Sequence, residues 1–319
     1  MRVTLLVRDL DEDALLARIF PHLPRGAATL VPPGDDAAVV AAPDGRFVVT
    51  TDVLVEDRHF RRRWSSGFDV GVRAAVQNLA DVAAMGARPT SLVVSLVVPG
   101  DLPAQWVEDL ARGFGSACGP LDVGVVGGDL SGGPVVVVAV TAHGDLQGRA
   151  PVLRGGARAG DVVAHAGVRG RSAAGWALLE AGLGAQAPDL VAGYLRPSSP
   201  LALGPAAARA GASAMIDVSD GLVRDAGRIG RASGVLLDLN GPGLFTDDLA
   251  ALAPAARALG VDPGEWVMAG GEDHGLLATF PVGAVLPDGF VPVGRVRTGE
   301  GVTVEGRTWA GSAGWDHFG

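Results

Sequence analysis

The sequence predicts an α+β fold of α/β-like character in two domains. The first would be a mixed sheet with helices, the second an α/β domain, with a cleft between them. Three observations carry this. The chain has 319 residues, more than one ordinary core holds. Strand-length apolar runs alternate with helical patterns in both halves. A Gly- and Arg-rich stretch, "HGDLQGRAPVLRGGARAGD" over residues 143–161, interrupts that periodicity. The domains are therefore placed at 1–145 and 146–319.

In chain order, an acidic start and the apolar face Leu15, Leu16, Ile19 and Phe20 predict a helix over 11–20. "AAVVAA" from Ala37 and "RFVVTTDVLV" from Arg46 read as a strand pair joined by the Pro43–Gly45 turn. Over 68–86, Val72, Val76, Leu79 and Ala83 share one helical face, with Arg73, Gln77, Asn78 and Asp81 on a face open to water. Strands follow at 91–98, 122–126 and 135–141, with a helix at 103–117. The second half offers a strand at 162–166, helices at 172–181 and 201–210, and the stretch "SAMIDVSDGL" leading into a further helix. A helix at 246–259 and short terminal strands complete it.

Composition removes several function classes. Every one of the 26 basic residues is arginine, so a Walker A loop, a protein-kinase strand lysine and a Schiff base are excluded. The net charge of −9 makes a nucleic-acid backbone an unsuitable partner. No apolar run approaches the length of a membrane span, and the N-terminus lacks the pattern of a secretory signal, which places the chain in the cytoplasm. The single cysteine, Cys118, excludes an internal disulfide and reads as a buried packing residue.

Of the 35 acidic residues only eight are glutamate, and the aspartates recur in one local design: glycine and one or two acids at the end of an apolar strand. The instances are Asp35 and Asp36 in "PPGDDAAVV", Asp52 after Thr50 and Thr51 in "VVTTDVLV", Asp129 in "VVGGDLSGG", Asp217 and Asp220 in "IDVSDGL", and Glu272 and Asp273 in "AGGEDHGL". Singly, each is an ordinary turn. If they converge, carboxylates about 6 Å apart repel by roughly 3 kcal/mol per pair at an effective dielectric near 20, so the set calls for cations. Hard oxygen donors with hydroxyl neighbours suit Mg²⁺, which commonly bridges substrate phosphates. Asp217 and Asp220 would then take metal, leaving Ser219 and the following N–H groups for phosphate, and Asp81 fits the same scheme.

The ordered set "GDDAAVV", "TTDVLVEDRHF", "VQNLADVAAMGA", "VGGDLSGG", "GRAPVLRGGARAGD", "SAAG", "LRPSSP", "IDVSDGL", "GGED" and "GWDHF" resembles the thiamine-monophosphate kinase family, within the superfamily that includes aminoimidazole ribotide synthetase. The resemblance covers nearly the whole chain. It implies a homodimer formed through the N-terminal half, with ATP and several Mg²⁺ ions held between the halves. The implied reaction passes the γ-phosphoryl of ATP directly to thiamine monophosphate. It further implies Asp36, Thr51, Asp52, Asp81, Asp129, Asp217 and Asp220 as metal ligands, with Thr50 as a further candidate. Asp129, Asp217 and Asp220 would be the catalytic set. Gly128, Asp129, Arg154 and Ser219 would contact nucleotide, and His59, Glu272 and Trp315 the thiamine substrate.

Arg171 before "SAAG", Leu130 after Asp129, and His274 and Gly275 after "GGED" depart from the family's commoner residues. Selenophosphate synthetase and the hydrogenase-maturation dehydratase would need a reactive terminal cysteine, which Cys118 is not. The remaining alternatives are an aminoimidazole ribotide synthetase-like ligase and a silent Mg²⁺-nucleotide binder.

Overall fold

The computed structural model describes residues 5–32, 37–312 and 314. The chain divides into two compact units, one comprising residues 1–82 and 88–147, the other 83–87 and 148–319.

In the first unit, α1 (Glu12–Ile19) is capped by Asp11, whose carboxylate accepts the Ala14 N–H at 2.8 Å. Two short strands, β1 (Thr29–Val31) and β2 (Val39–Val40), pair with each other. β3 (Val48–Val55) instead joins a four-stranded sheet. The expected hairpin between β2 and β3 therefore does not form: the Pro43–Gly45 turn is local, but the partner that completes β3's ladder is the strand Val137–Asp145, far along the chain.

Helix α2 (Gly67–Ala84) follows, then β4 (Arg88–Val98), α3 (Ala104–Cys118), β5 (Gly124–Gly132) and β6 (Val137–Asp145). The sheet order is β3-β6-β4-β5, parallel only between β4 and β5. Ser66 and Asp69 cap α2 reciprocally, the Asp69 carboxylate accepting the Ser66 N–H at 2.9 Å.

The polar face of α2 is not wet. Arg73, Gln77 and Asn78 are buried along with Ala74, Ala75, Leu79 and Val82, so the helix is enclosed nearly all round. Its approach to α3 depends on glycine: a Cβ on Gly71 would lie 2.1 Å from the Leu110 carbonyl oxygen, and one on Gly113 2.3 Å from that of Phe68. Cys118, at the end of α3, is fully buried, and burial pushes its thiol up to about 12.

The second unit contains β7 (Val162–Ala166), α4 (Arg171–Glu180), α5 (Pro188–Leu195), α6 (Leu203–Arg209), β8 (Ala214–Val218), α7 (Leu222–Ser233) and β9 (Leu236–Leu239). After these come α8 (Thr246–Leu259), α9 (Pro263–Ala269), β10 (Gly275–Phe280), β11 (Phe290–Arg297) and β12 (Gly301–Val304). The six strands lie in the order β12-β9-β11-β7-β10-β8, antiparallel except at β12/β9. Alternate residues of β7, β8 and β10 feed two apolar cores. Val163, Ile216 and Leu277 join one with residues of α4, α7, α8 and α9, while Ala164, Met215 and Ala278 join the other with Ala207. β8 is an edge strand with every residue buried.

The strand-end design holds for one motif among the described residues. Asp217 and Asp220 stand at the exit of β8, whereas Asp52 and Asp129 lie inside β3 and β5. Glu272 and Asp273 precede β10 after a helix. A ladder can run on through an aspartate whose side chain reaches water, and Asp52 and Asp129 are both exposed.

Candidate active site

In the first unit the four-stranded sheet sorts the candidate ligands by face. Ladder partners share a face. Thr50 and Asp52 pair with Ala142 and Val140, both fully buried, so their side chains lie on the face that carries the unit's core. There the Thr50 hydroxyl donates to Asp81 Oδ2 at 3.0 Å, and the Asp52 N–H donates to Asn78 Oδ1 at 3.1 Å. Asn78 is fully buried and returns a bond from Nδ2 to the Ala74 carbonyl at 2.9 Å. Residues of α2 thus fasten the middle of β3 at two points and bring Thr50, Asp52 and Asp81 into one neighbourhood.

Thr51 and Asp129 lie on the opposite face. Thr51 pairs with Thr141 and donates its hydroxyl to the Val140 carbonyl at 2.9 Å; Asp129 pairs with Ser95. Gly128 is required by its backbone alone, since a Cβ there would lie 2.0 Å from the Val94 carbonyl oxygen. Gly128 and Asp129 border a cavity of about 440 Å³ whose other walls include Leu16 and Phe20 and, from α3, Val107 and Phe114. His59 closes the turn after β3, its Nδ1 accepting the Val55 N–H at 3.0 Å. That bond leaves the ring's proton on Nε2 when the imidazole is neutral.

In the second unit, β8 delivers Asp217, Ser219 and Asp220 to the start of α7. Gly221, at φ 117°, makes the turn into the helix, and a Cβ there would lie 2.6 Å from the Ala269 carbonyl oxygen. The segment before β10 folds onto the same exit: the Glu272 N–H donates to the Ser219 carbonyl at 2.8 Å and the His274 N–H to that of Val218 at 3.1 Å. Glu272 and His274 accept left-handed backbone, φ 69° and 51°, to do so. Glu272 is consequently held on the same frame as Asp217 and Asp220. Asp217 Oδ2 lies 3.5 Å from His274 Nδ1.

Asp273 points inward, where its Oδ1 accepts the Ser172 N–H at 2.8 Å. Burial pushes its carboxyl up to about 7, against the opposing pull of the Ser172 and Gly170 amides. Asp225, also buried, is likewise pushed up to about 7 by burial and by the Asp217 charge.

Arg154 is exposed, and its carbonyl accepts the Ser233 hydroxyl at 3.1 Å. Ser233 is the last residue of α7, so Arg154 and Ser219 flank opposite ends of a helix of roughly 18 Å. Asp36 and Trp315 lie outside the described residues, as does Asp35.

Among the described residues no three of His, Cys, Asp and Glu stand close enough to hold one ion. That does not disfavour Mg²⁺, which is usually bound through one or two carboxylates, water and substrate phosphates rather than an all-protein cage. The oxygen-only donors Thr50, Asp52 and Asp81, and the buried pair Asp217 and Asp220, fit that chemistry.

Sequence reasoning missed Asn78, Asp225 and Arg228. Asn78 looked like part of a solvated face, and the residues of α7 drew no reading beyond a further helix after "SAMIDVSDGL". The available signal was position: Asp225 falls on the apolar side of α7 with Leu222, Ala226 and Ile229, all buried.

Residues 34–146 match the family described as AIR synthase related protein, N-terminal domain. The chain is 50% identical over 314 residues to the thiamine-monophosphate kinase of Mycobacterium tuberculosis, covering 98% of this chain and 93% of that one. It is 42% identical to the enzyme of the same name from Corynebacterium glutamicum, covering 89% and 88%. Among solved structures, the thiamine-monophosphate kinase of Stenotrophomonas maltophilia K279a superposes with a TM-score of 0.78 at 30% identity over 93% of this chain and 96% of that one. AaThiL complexed with AMPPCP and TMP gives 0.78 at 32% identity, over 100% and 99%. Hydrogenase maturation protein HypE, at 19% identity and a TM-score of 0.69 over 85% and 84%, shares the fold. With this identity sustained along almost its whole length, the chain belongs to the thiamine-monophosphate kinase family.

Proposed function

We propose that this kinase transfers the γ-phosphoryl group of ATP to the phosphate of thiamine monophosphate, giving thiamine diphosphate and ADP. The observation that carries the reading is the β8 exit. In a chain without lysine, two buried carboxylates, Asp217 and Asp220, flank Ser219, with Glu272 tied by its backbone to the same turn.

The acceptor is a phosphate monoester whose second pKa is near 6, so at neutral pH it is already largely a dianion and needs no general base. The difficulty is bringing two polyanions together in line. Magnesium held by this chain's oxygen donors would supply the charge neutralisation that step needs. Its proposed ligands are Thr50, Asp52 and Asp81 at one face of the first unit's sheet, Thr51 and Asp129 on the other, with Asp36, and Asp217 and Asp220 in the second unit, Asp129, Asp217 and Asp220 being the proposed catalytic set. Gly128, Asp129, Arg154 and Ser219 are the proposed nucleotide contacts, and His59, Glu272 and Trp315 those of the thiamine substrate. Among these chain residues, Asn78 fixes the β3 segment and the Glu272 backbone fixes the thiamine side relative to Ser219.

We further propose a cytoplasmic homodimer. Its support is the outer face of the four-stranded sheet, where Phe47 (57% exposed), Val49 (56%) and Val53 (44%) stand beside half-buried Val93 and Val97. An apolar sheet face of this kind on one copy fits the same face on a second.

The test is incubation of the purified protein with ATP and thiamine monophosphate, with and without Mg²⁺, and chromatography for thiamine diphosphate. Product is expected only with the metal. Asp217→Asn and Asp220→Asn should each lower turnover roughly 100-fold or more while leaving the circular dichroism spectrum intact. Wild-type turnover without metal, or in either variant, would sink the assignment.

A further inference from the structure

We infer that Asp225 and Arg228 are positioning residues for the phosphoryl-transfer site, acting through Asp220. The inference rests on the proposed reading of Asp220 as a magnesium ligand.

Residues 225 and 228 lie three apart on α7 and therefore project from neighbouring points of one face. Asp225 has no solvent exposure. Its Oδ2 accepts the backbone N–H of Asp220 at 3.0 Å, and its Oδ1 accepts Arg228 Nη1 at 2.5 Å. Arg228 Nη2 in turn donates to Asp220 Oδ2. The bonds close a ring: main chain of Asp220, carboxylate of Asp225, guanidinium of Arg228, side chain of Asp220. Both ends of one residue are thereby held, and the Asp220 carboxylate cannot rotate about its side-chain bonds without breaking a charge-assisted contact.

The ring uses only one of the two oxygens. Among the described residues Asp220 Oδ1 takes no hydrogen bond, and the next cation, Arg224 Nε, stands 4.0 Å from Oδ2. The arrangement orients a carboxylate and leaves half its acceptor capacity for another electrophile.

Helix stability alone does not call for it. A fully buried carboxylate carries a desolvation cost that the packing of α7 does not require, and the hydrogen bonds that offset it run to Asp220 and Arg228. Outer-layer groups of this kind orient the residues that bind an ion, and losing one typically weakens metal affinity or activity by about 10- to 100-fold.

The test uses the full chain and Mn²⁺ as the probe, titrated calorimetrically in the presence of a non-hydrolysable ATP analogue. Arg228→Gln and Asp225→Asn should each weaken Mn²⁺ binding by about tenfold or more, with Arg228→Lys, which keeps the charge but loses the fork, in between. In turnover assays the same variants should need correspondingly more Mg²⁺, recover at high Mg²⁺, and keep the wild-type KM for thiamine monophosphate once metal is saturating. A purely structural role would lower thermal stability without shifting the metal requirement. Unchanged Mn²⁺ affinity overturns the inference. Tighter binding in Arg228→Gln also overturns it, since the guanidinium would then compete with the ion. If Asp225→Asn does not fold, the two Arg228 variants decide. Failure of the wild-type protein to form thiamine diphosphate would instead overturn the kinase reading, leaving the metal titration to judge the ring.

Discussion

Asp273 shows how one side chain can govern the response to pH. Its carboxyl sits near 7 because burial penalises the anion, with the Asp248 charge adding to the rise and His274 opposing it. An unfolded aspartate ionises near 4. Below that pH both states hold the proton and the folded state bears no charge-burial cost. As pH rises from about 4 to 7 only the unfolded chain releases its proton, so this residue's contribution to stability falls and then stays low above 7. Asp273→Asn carries no such charge. Its melting temperature, measured by scanning fluorimetry, should fall less between pH 5 and pH 8 than that of the wild type; parallel curves would refute the assignment. The "GGED" motif announced an acidic pair, but not which acid turns inward. In a strand, alternation would answer that, whereas here left-handed backbone at Glu272 and His274 decides it, and periodicity is blind to such turns.

Among the elements, α2 was the most legible and the most misjudged. Its span was readable because Val76, Leu79 and Ala83 recur at helical spacing, yet Asn78 belongs to the interior. A helical wheel separates apolar from polar; it does not separate polar residues facing water from polar residues facing a strand's backbone. Asn78→Ala would leave the Asp52 N–H without its acceptor and remove the bond to Ala74. An unsatisfied group costs about 1–3 kcal/mol when fully buried, and less at the part-exposed Asp52. The variant should unfold at a lower urea midpoint and require more Mg²⁺ for turnover; a loss of stability with unchanged metal requirement would confine Asn78 to folding. The β2–β3 hairpin failed for a different reason: turn signals are local, and a strand's partner is not. α5 escaped notice because it is short and opens at Pro188, a residue that reads as a breaker unless it stands at the first helical position.

At the scale of the whole molecule, the two-part architecture was legible in the chain's length and in the strand–helix alternation of both halves; the compact units comprise 1–82 with 88–147, and 83–87 with 148–319. The homodimer was expected from the family resemblance alone; the sheet face proposed to form it was not legible, because an exposed apolar face is a property of coordinates. Val53→Arg should convert a dimer into a monomer of half the mass by light scattering after size exclusion, without altering the far-UV spectrum. A wild-type monomer would remove the proposal. Strand β3 joins these two matters, with Thr50 and Asp52 directed toward α2 and Val49, Thr51 and Val53 directed away. Its residues therefore have to be counted as well as chosen: a slip of one position would turn the acid out among the valines and the valines in toward the acid. On the proposed roles of the two faces, metal binding and assembly would be lost in a single step, so an insertion or deletion that propagates into this strand would have no half-working outcome for selection to retain.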